Sequence, residues 1–228
     1  MPPSLNDPDQ EQWDEYWSSN SCGLDDSIIH RYYRRSIWEG YLEALDGLNL
    51  KEPSILELGC GTGYKTARIL QHLGGRATLI DFSEKALERA RTLFDEVGID
   101  DVKFVKGDIR SVDYKDEFDL VHSDGVVEHF EGNEQRRVFE NHCRAVNSTG
   151  YVFIFVPSPT WCYRVWKWGL TTLGRWRFGY EEPMNEENVV SILESFGMDA
   201  VRTVKAGRFL GVVVNRAPPK PFYPHSVD

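Results

Sequence analysis

No two cysteines in this chain stand at C-x-x-C spacing. Cys22, Cys60, Cys143 and Cys162 are scattered. That excludes zinc-ribbon and dithiol redox motifs and fits structural thiols in a reducing compartment. Basic charge is also short, since 26 lysines and arginines stand against 36 acidic residues for a formal net charge of −10. A general nucleic-acid surface needs the opposite balance, so DNA is excluded as a partner and RNA is disfavoured. No apolar run reaches the ~18–20 residues that span a bilayer. The stretch "MPPSLNDPDQEQWDEYW" lacks the basic-then-apolar order of a secretory leader, and a cytoplasmic location is the expectation.

What is present is globular. Hydrophobic residues make up 41% and aromatics 13% of 228 residues, enough for one domain with a sizeable core. Residues 1–50 read as an N-terminal cap. The first 26 are polar and turn-rich, and a helix runs over 27–46 with Ile29, Tyr33, Ile37, Tyr41 and Leu45 in one stripe, ended by Gly47. This helix, with its His30, Tyr32, Tyr33, Arg34 and Arg35, is expected to cover the site, Tyr16 or Tyr33 being within reach of a bound carboxylate. Strand and helix then alternate. "SILEL", "RATLID", "VKFVKGD", "FDLVHS" and "YVFIFV" are short and mostly continuously apolar, as in a parallel sheet buried on both faces. Helices fill 63–73, 83–97 and 131–146, so the fold class is α/β, Rossmann-like and doubly wound. After a helix at 186–197, "DAVRTVKAGRFLGVVVNRA" holds two extended runs joined too tightly for anything but an antiparallel hairpin. The tail from 217 contains four of the eleven prolines and reads as irregular.

The informative stretch is "ILELGCGTGYKTARIL", residues 55–70. A strand ends on Glu57 and enters a turn with glycine at 59, 61 and 63. Glycines at strand carboxyl ends let a ligand approach the backbone closely. A dinucleotide loop would have its third glycine where Tyr64 stands, and Glu57 would repel a phosphate, so a nicotinamide oxidoreductase is disfavoured. Glu57 suits a cation or an ammonium group instead. Asp81 ends the next strand and can accept both hydroxyls of a ribose. Asp108 can accept an adenine amino hydrogen, with Phe82 and Ile109 as apolar faces for the base. An amino-acid end, a ribose and an adenine without phosphate together describe S-adenosyl-L-methionine.

The blocks "LELGCGTG", "IDFSEKALERAR", "VKGDI" and "FDLVHSDGVVEHF" resemble, in order and spacing over about residues 50–215, the class I S-adenosylmethionine-dependent methyltransferases. Among these the sequence is most similar to small-molecule enzymes of the ubiquinone-biosynthesis O-methyltransferase kind. The resemblance implies a seven-stranded, mostly parallel sheet into which the last hairpin inserts one antiparallel strand. It places Glu57, Gly59, Gly61 and Gly63 around the methionine part, Asp81 on the ribose, Asp108 and Ile109 on the adenine, and the stretch from Ser123 along the methionine end. The implied activity is methyl transfer to an oxygen or nitrogen of a small aromatic or amphipathic acceptor. RNA methylation and non-catalytic cofactor binding are the alternatives.

A general base is optional for an already activated methyl. The candidates are His122, Asp124, Glu128 and His129, with His129 the preferred catalytic residue. Ubiquinone-pathway and small-RNA methyltransferases carry an ExxEH block that holds a divalent ion. Here the block is "GVVEH", with Gly125 at the first glutamate and His142 thirteen residues beyond His129. No metal is therefore expected.

Selectivity is assigned to 158–184, a lid insertion between the fifth strand and the last helix. From 158 to 180 it holds Arg164, Lys167, Arg175 and Arg177, no acidic residue, and four of the seven tryptophans. Trp161, Val165 and Trp168 at helical spacing are expected to pack on the core. A cationic aromatic pocket and a peripheral membrane contact are the competing readings.

Overall fold

A computed structural model describes residues 10–18 and 28–216. The proline-rich tail and Cys22 lie outside the described residues, as do the side chains of Ile29 and Tyr33. The elements follow in chain order as α1 (Gln10–Ser18), α2 (Ile28–Leu45), β1 (Ser54–Leu58), α3 (Tyr64–Leu73), β2 (Arg76–Asp81), α4 (Glu84–Val97), β3 (Val102–Lys106), β4 (Phe118–Asp124), α5 (Gly132–Ala145), β5 (Val146–Pro157), α6 (Trp161–Thr172), α7 (Glu186–Glu194), β6 (Met198–Ala206) and β7 (Phe209–Arg216). One helix was not expected. Residues 10–18, read as turn-rich, form α1.

The seven strands form one sheet in the order β3-β2-β1-β4-β5-β7-β6. β1 pairs in parallel with β2 on one side and β4 on the other, and β7 runs antiparallel to both β5 and β6. Order reverses at β1, which leaves a crevice over the carboxyl ends of β1 and β4.

Burial on both faces follows from the strand sequences. Ile55, Phe153 and Phe155 join a core with Ile69, Leu87 and Phe94 under α2, α3 and α4. Leu56, Leu58, Val152 and Ile154 join another with Val138, Phe139 and Leu193 under α5 and α7. Adjacent residues of one strand thus serve opposite faces.

The helices are punctuated as their ends require. The Ser83 hydroxyl accepts from the Ala86 N–H to start α4, and Gly98 ends it in a left-handed conformation. Thr160 and Asn185 cap α6 and α7 in the same way. The hairpin turn is Gly207–Arg208, with Gly207 at φ +63°. Among the described residues no helix is long and apolar enough to cross a membrane.

Candidate functional site: a strand-end cavity under a tryptophan lid

The three glycines serve different purposes. Gly59 and Cys60 both donate main-chain N–H groups to the Ile80 carbonyl, at 2.8 and 2.9 Å, which folds the loop back onto β2. A Cβ on Gly63 would sit 2.4 Å from Leu79 Cδ2, so that glycine lets α3 pack on the sheet. A Cβ on Gly61 would sit 2.8 Å from the Trp17 ring, and one on Gly59 2.8 Å from Val126. Gly59 and Gly61 face the cavity; Gly63, grouped with them in the sequence reading, faces the core.

Three acids sit at or just beyond the carboxyl ends of three neighbouring strands. Glu57 is 2% exposed, accepts a 2.7 Å hydrogen bond from the Thr66 hydroxyl, and is pushed up to about 8 by burial. Asp81 is buried. Its two oxygens each accept one main-chain N–H, from Gly61 at 2.8 Å and from Ser83 at 2.9 Å. Burial raises its pKa and these donors pull it back. Each oxygen keeps a lone pair for an outside hydroxyl. Asp108 is held differently, because Arg110 grips it through Nε and Nη2 at 2.9 and 2.7 Å and through its main-chain N–H at 2.8 Å. That pairing occupies most of its acceptor capacity and makes it a weaker partner for an adenine amino group than Asp81 is for a ribose.

At the end of β4, Asp124 pairs with Lys65 at 3.0 Å, and the Lys65 ammonium lies 4.4 Å from the centre of the Tyr41 ring. Ser123, expected along the methionine end, is fully buried and bonded to His142 Nε2 at 3.0 Å. Its side chain supports β4 against α5 rather than lining the cavity. His142 Nδ1 donates to the Val138 carbonyl, 2.7 Å away. His122 is 0% exposed, within 2.9 Å of the Thr66 hydroxyl, and burial holds it down to about 3. Neither histidine is a base for an outside substrate.

His129 does reach the cavity. It sits in a 3₁₀ turn at Val127–His129. Its Nδ1 donates to the Tyr180 carbonyl at 2.6 Å, and burial pushes its pKa down to about 4. A group so weakly basic is a poor general base near neutrality.

The cavity encloses about 250 Å³ and is lined by Glu57, Gly59, Gly61, Asp81, Phe82, Asp108, Ile109 and His129, among others. Gly63 and Ser123 are not in that lining. Sequence reasoning missed several lining residues: Trp13 and Trp17 of α1, Lys65 and Tyr64 of α3, and Arg110. The aromatic run "EQWDEYW" was the available signal for the first two. α1 covers the site and α2 packs along β6 and β7, while the side chains of His30, Tyr32, Tyr33 and Arg34 lie outside the described residues. Trp13 meets the His129 ring edge-on at 5.2 Å. Tyr16 packs on Phe178, which packs on Trp176, so α1 and the 158–184 insertion form one aromatic roof.

The insertion contains α6, but its outer face is open. Trp161, Val165 and Trp168 are 75%, 57% and 69% exposed, which corrects the expectation that they pack on the core. Tyr163 and Trp166 turn inward instead.

A sheet of this order, with a glycine turn and acids at its strand ends, has the fold of the class I S-adenosylmethionine-dependent methyltransferases. Residues 55–150 match the family model described as a methyltransferase domain. The sequence is 29% identical over 161 residues to a bifunctional biotin-biosynthesis protein of Teredinibacter turnerae, covering 65% of this chain and 27% of that one. It is 37% identical over 121 residues to a malonyl-[acyl-carrier protein] O-methyltransferase of Acetivibrio thermocellus, covering 47% and 42%. The chain thus spans less than half the length of either relative. Among solved structures, the N-methyltransferase NodS of Bradyrhizobium japonicum, in complex with S-adenosyl-L-homocysteine, superposes with a TM-score of 0.67 at 20% identity over 91% of this chain and 98% of that one. A 1,6-didemethyltoxoflavin-N1-methyltransferase of Burkholderia thailandensis gives 0.68 at 16% identity, over 92% and 88%.

The acceptors around the cavity fit the cofactor's donors. Glu57 and Asp81 are buried carboxylates with accepting capacity left over, and the backbone between them has no side chain at 59 or 61.

Proposed function

We propose that this protein binds S-adenosyl-L-methionine in the strand-end cavity and transfers its methyl group to an oxygen or nitrogen of a small aromatic or amphipathic acceptor. The observation that carries this is Asp81, buried at the tip of β2 and steadied by two main-chain donors, in a cavity that Gly61 also lines. In this reading Asp81 takes the ribose hydroxyls, Glu57 the ammonium, and Phe82 with Ile109 the faces of the adenine. The cofactor brings an activated methyl. The chain contributes alignment and exclusion of water by the roof of α1 and 158–184, and orientation of this kind supplies up to about 7–11 kcal/mol. His129 is too weak a base to drive the step, so the acceptor's own nucleophilicity sets the rate.

Support for a small acceptor comes from the closed aromatic roof and from relatives that act on small molecules or carrier-bound acyl groups. Titration calorimetry with S-adenosyl-L-homocysteine tests the cofactor half. Binding is expected in the wild type and weaker by about 10- to 100-fold in Asp81→Ala, since each charged hydrogen bond contributes about 1.5–3 kcal/mol. Equal affinities would refute the assignment. Transfer of label from methyl-labelled cofactor to a component of a metabolite extract tests the acceptor half.

A further inference from the structure

At the junction of the 3₁₀ turn and the lid insertion, ligand atoms of Glu128, His129 and Glu181 all lie within 4.8 Å of one another, and all three residues are buried. The two carboxylate oxygens of Glu128, itself 0% exposed, have no hydrogen-bond partner. The main-chain N–H groups of Val126 and Glu128 lie near enough to favour its charged form, though neither completes a hydrogen bond to it. His129 uses Nδ1 on the Tyr180 carbonyl. Its Nε2 is therefore an unprotonated lone pair, 3.9 Å from Glu181 Oε2. The cluster contains acceptors facing acceptors. A cation is what such a set lacks.

The surroundings match what holds metal ligands in place. A metal-binding histidine normally donates its other nitrogen to a carbonyl, which fixes the tautomer, and His129 does this. A ligating carboxylate is normally hydrogen-bonded on its free oxygen, and the Tyr163 hydroxyl donates to Glu181 Oε1. Lys167, the nearby ammonium, donates to the main-chain carbonyl of Glu181 and leaves its carboxylate free. Tetrahedral bonds of ~2.0–2.1 Å place ligand atoms ~3.3 Å apart, so closing the set needs side-chain movements of ~1 Å.

We propose that Glu128, His129 and Glu181 form a site for one divalent cation of the zinc or manganese type, which ties the lid insertion to the wall of the cavity. Two carboxylates and one imidazole make a mixed oxygen and nitrogen set, which suits these ions better than calcium or magnesium. Glu181 stands in for the glutamate that Gly125 replaces in "GVVEH", and it comes from 56 positions further along the chain.

The test is calorimetry of the chelator-treated, dialysed full chain with ZnCl₂ and with MnCl₂. One equivalent is expected to bind, with affinity at least ~10-fold weaker in Glu128→Gln and in Glu181→Gln, and weaker by ~10- to 100-fold in Tyr163→Phe, as for lost outer hydrogen bonds. Circular dichroism and S-adenosyl-L-homocysteine affinity serve as fold controls, and Glu128→Gln carries the test if Glu181→Gln fails them. No binding, or binding equal in the variants, overturns the proposal. A proton shared by the two carboxyls would give that result, because glutamine mimics the protonated acid. Metal uptake is read without turnover, so failure of the methyltransferase reading would leave this result standing, and the reverse.

Discussion

Glu57 shows how burial and function pull against each other at one side chain. In the free protein its pKa of about 8 leaves the carboxyl mostly protonated at pH 7. If it receives the ammonium of the cofactor's amino-acid end, binding must ionise it. Binding at pH 7 is therefore expected to release nearly one proton, seen as a dependence of calorimetric heat on the buffer's ionisation enthalpy. Affinity should fall by up to about tenfold per pH unit below 8, at ~1.4 kcal/mol per unit. Glu57→Gln should abolish the release and weaken binding. Release unchanged in that variant would place the ammonium elsewhere. The acids at 57, 81 and 108 were legible in the sequence because each sits at or just past the end of a strand whose pattern is visible. The pairing of Asp108 with Arg110, and the turn of Gly63 toward Leu79, depend on neighbours that no local pattern names.

Among the elements, α6 carries the clearest surface statement. Trp161, Val165 and Trp168 form one exposed face, flanked by exposed Arg164 and followed by Arg175 and Arg177, in a segment from 158 to 180 without an acidic residue. Tryptophan with arginine suits the interface of an anionic bilayer. We propose peripheral contact there, which would bring an amphipathic acceptor to the roof of the site. The protein is expected to co-sediment with phosphatidylserine-containing vesicles, with binding lost at high salt and in Trp161→Ala/Trp168→Ala. Retention of that variant on vesicles would exclude α6 as the contact. The spacing of these residues predicts a helix, and the helix is present. Which face it buries was decided by Tyr163 and Trp166 meeting Glu181 and Trp176, contacts that cross a loop.

At the scale of the whole molecule, buried titratable groups set the pH range of stability. His122 and His142 are held down to about 3 and about 4, below the ordinary 6.5. The unfolded chain takes protons there first, so their contribution is complete above pH 6.5 and is lost as pH falls toward 4 and 3. Glu57 acts oppositely. Its raised value means stability falls as pH rises from 4.5 to about 8. His129 adds to the histidines, while Asp81, Glu128 and Glu181 are raised like Glu57 and offset them below pH 6.5, so the melting temperature should fall from about pH 6.5 to 8, where only the carboxyls still lose protons. Glu57→Gln should flatten the alkaline limb. A variant curve parallel to the wild type from pH 6.5 to 8 would contradict this account.

The sequence by itself determined the α/β class, the order and approximate places of the strands, the closing hairpin and the glycine turn with its acids, though β5 begins at Val146, five residues before the run read as a strand. These follow from periodicity, turn chemistry and strand ends, all read within a few residues. Only the tertiary structure decided that α1 roofs the cavity, that α6 shows its tryptophans outward, and that Glu181 meets Glu128 and His129. Those outcomes hang on which distant surfaces bury each other, and burial is a property of the packed chain.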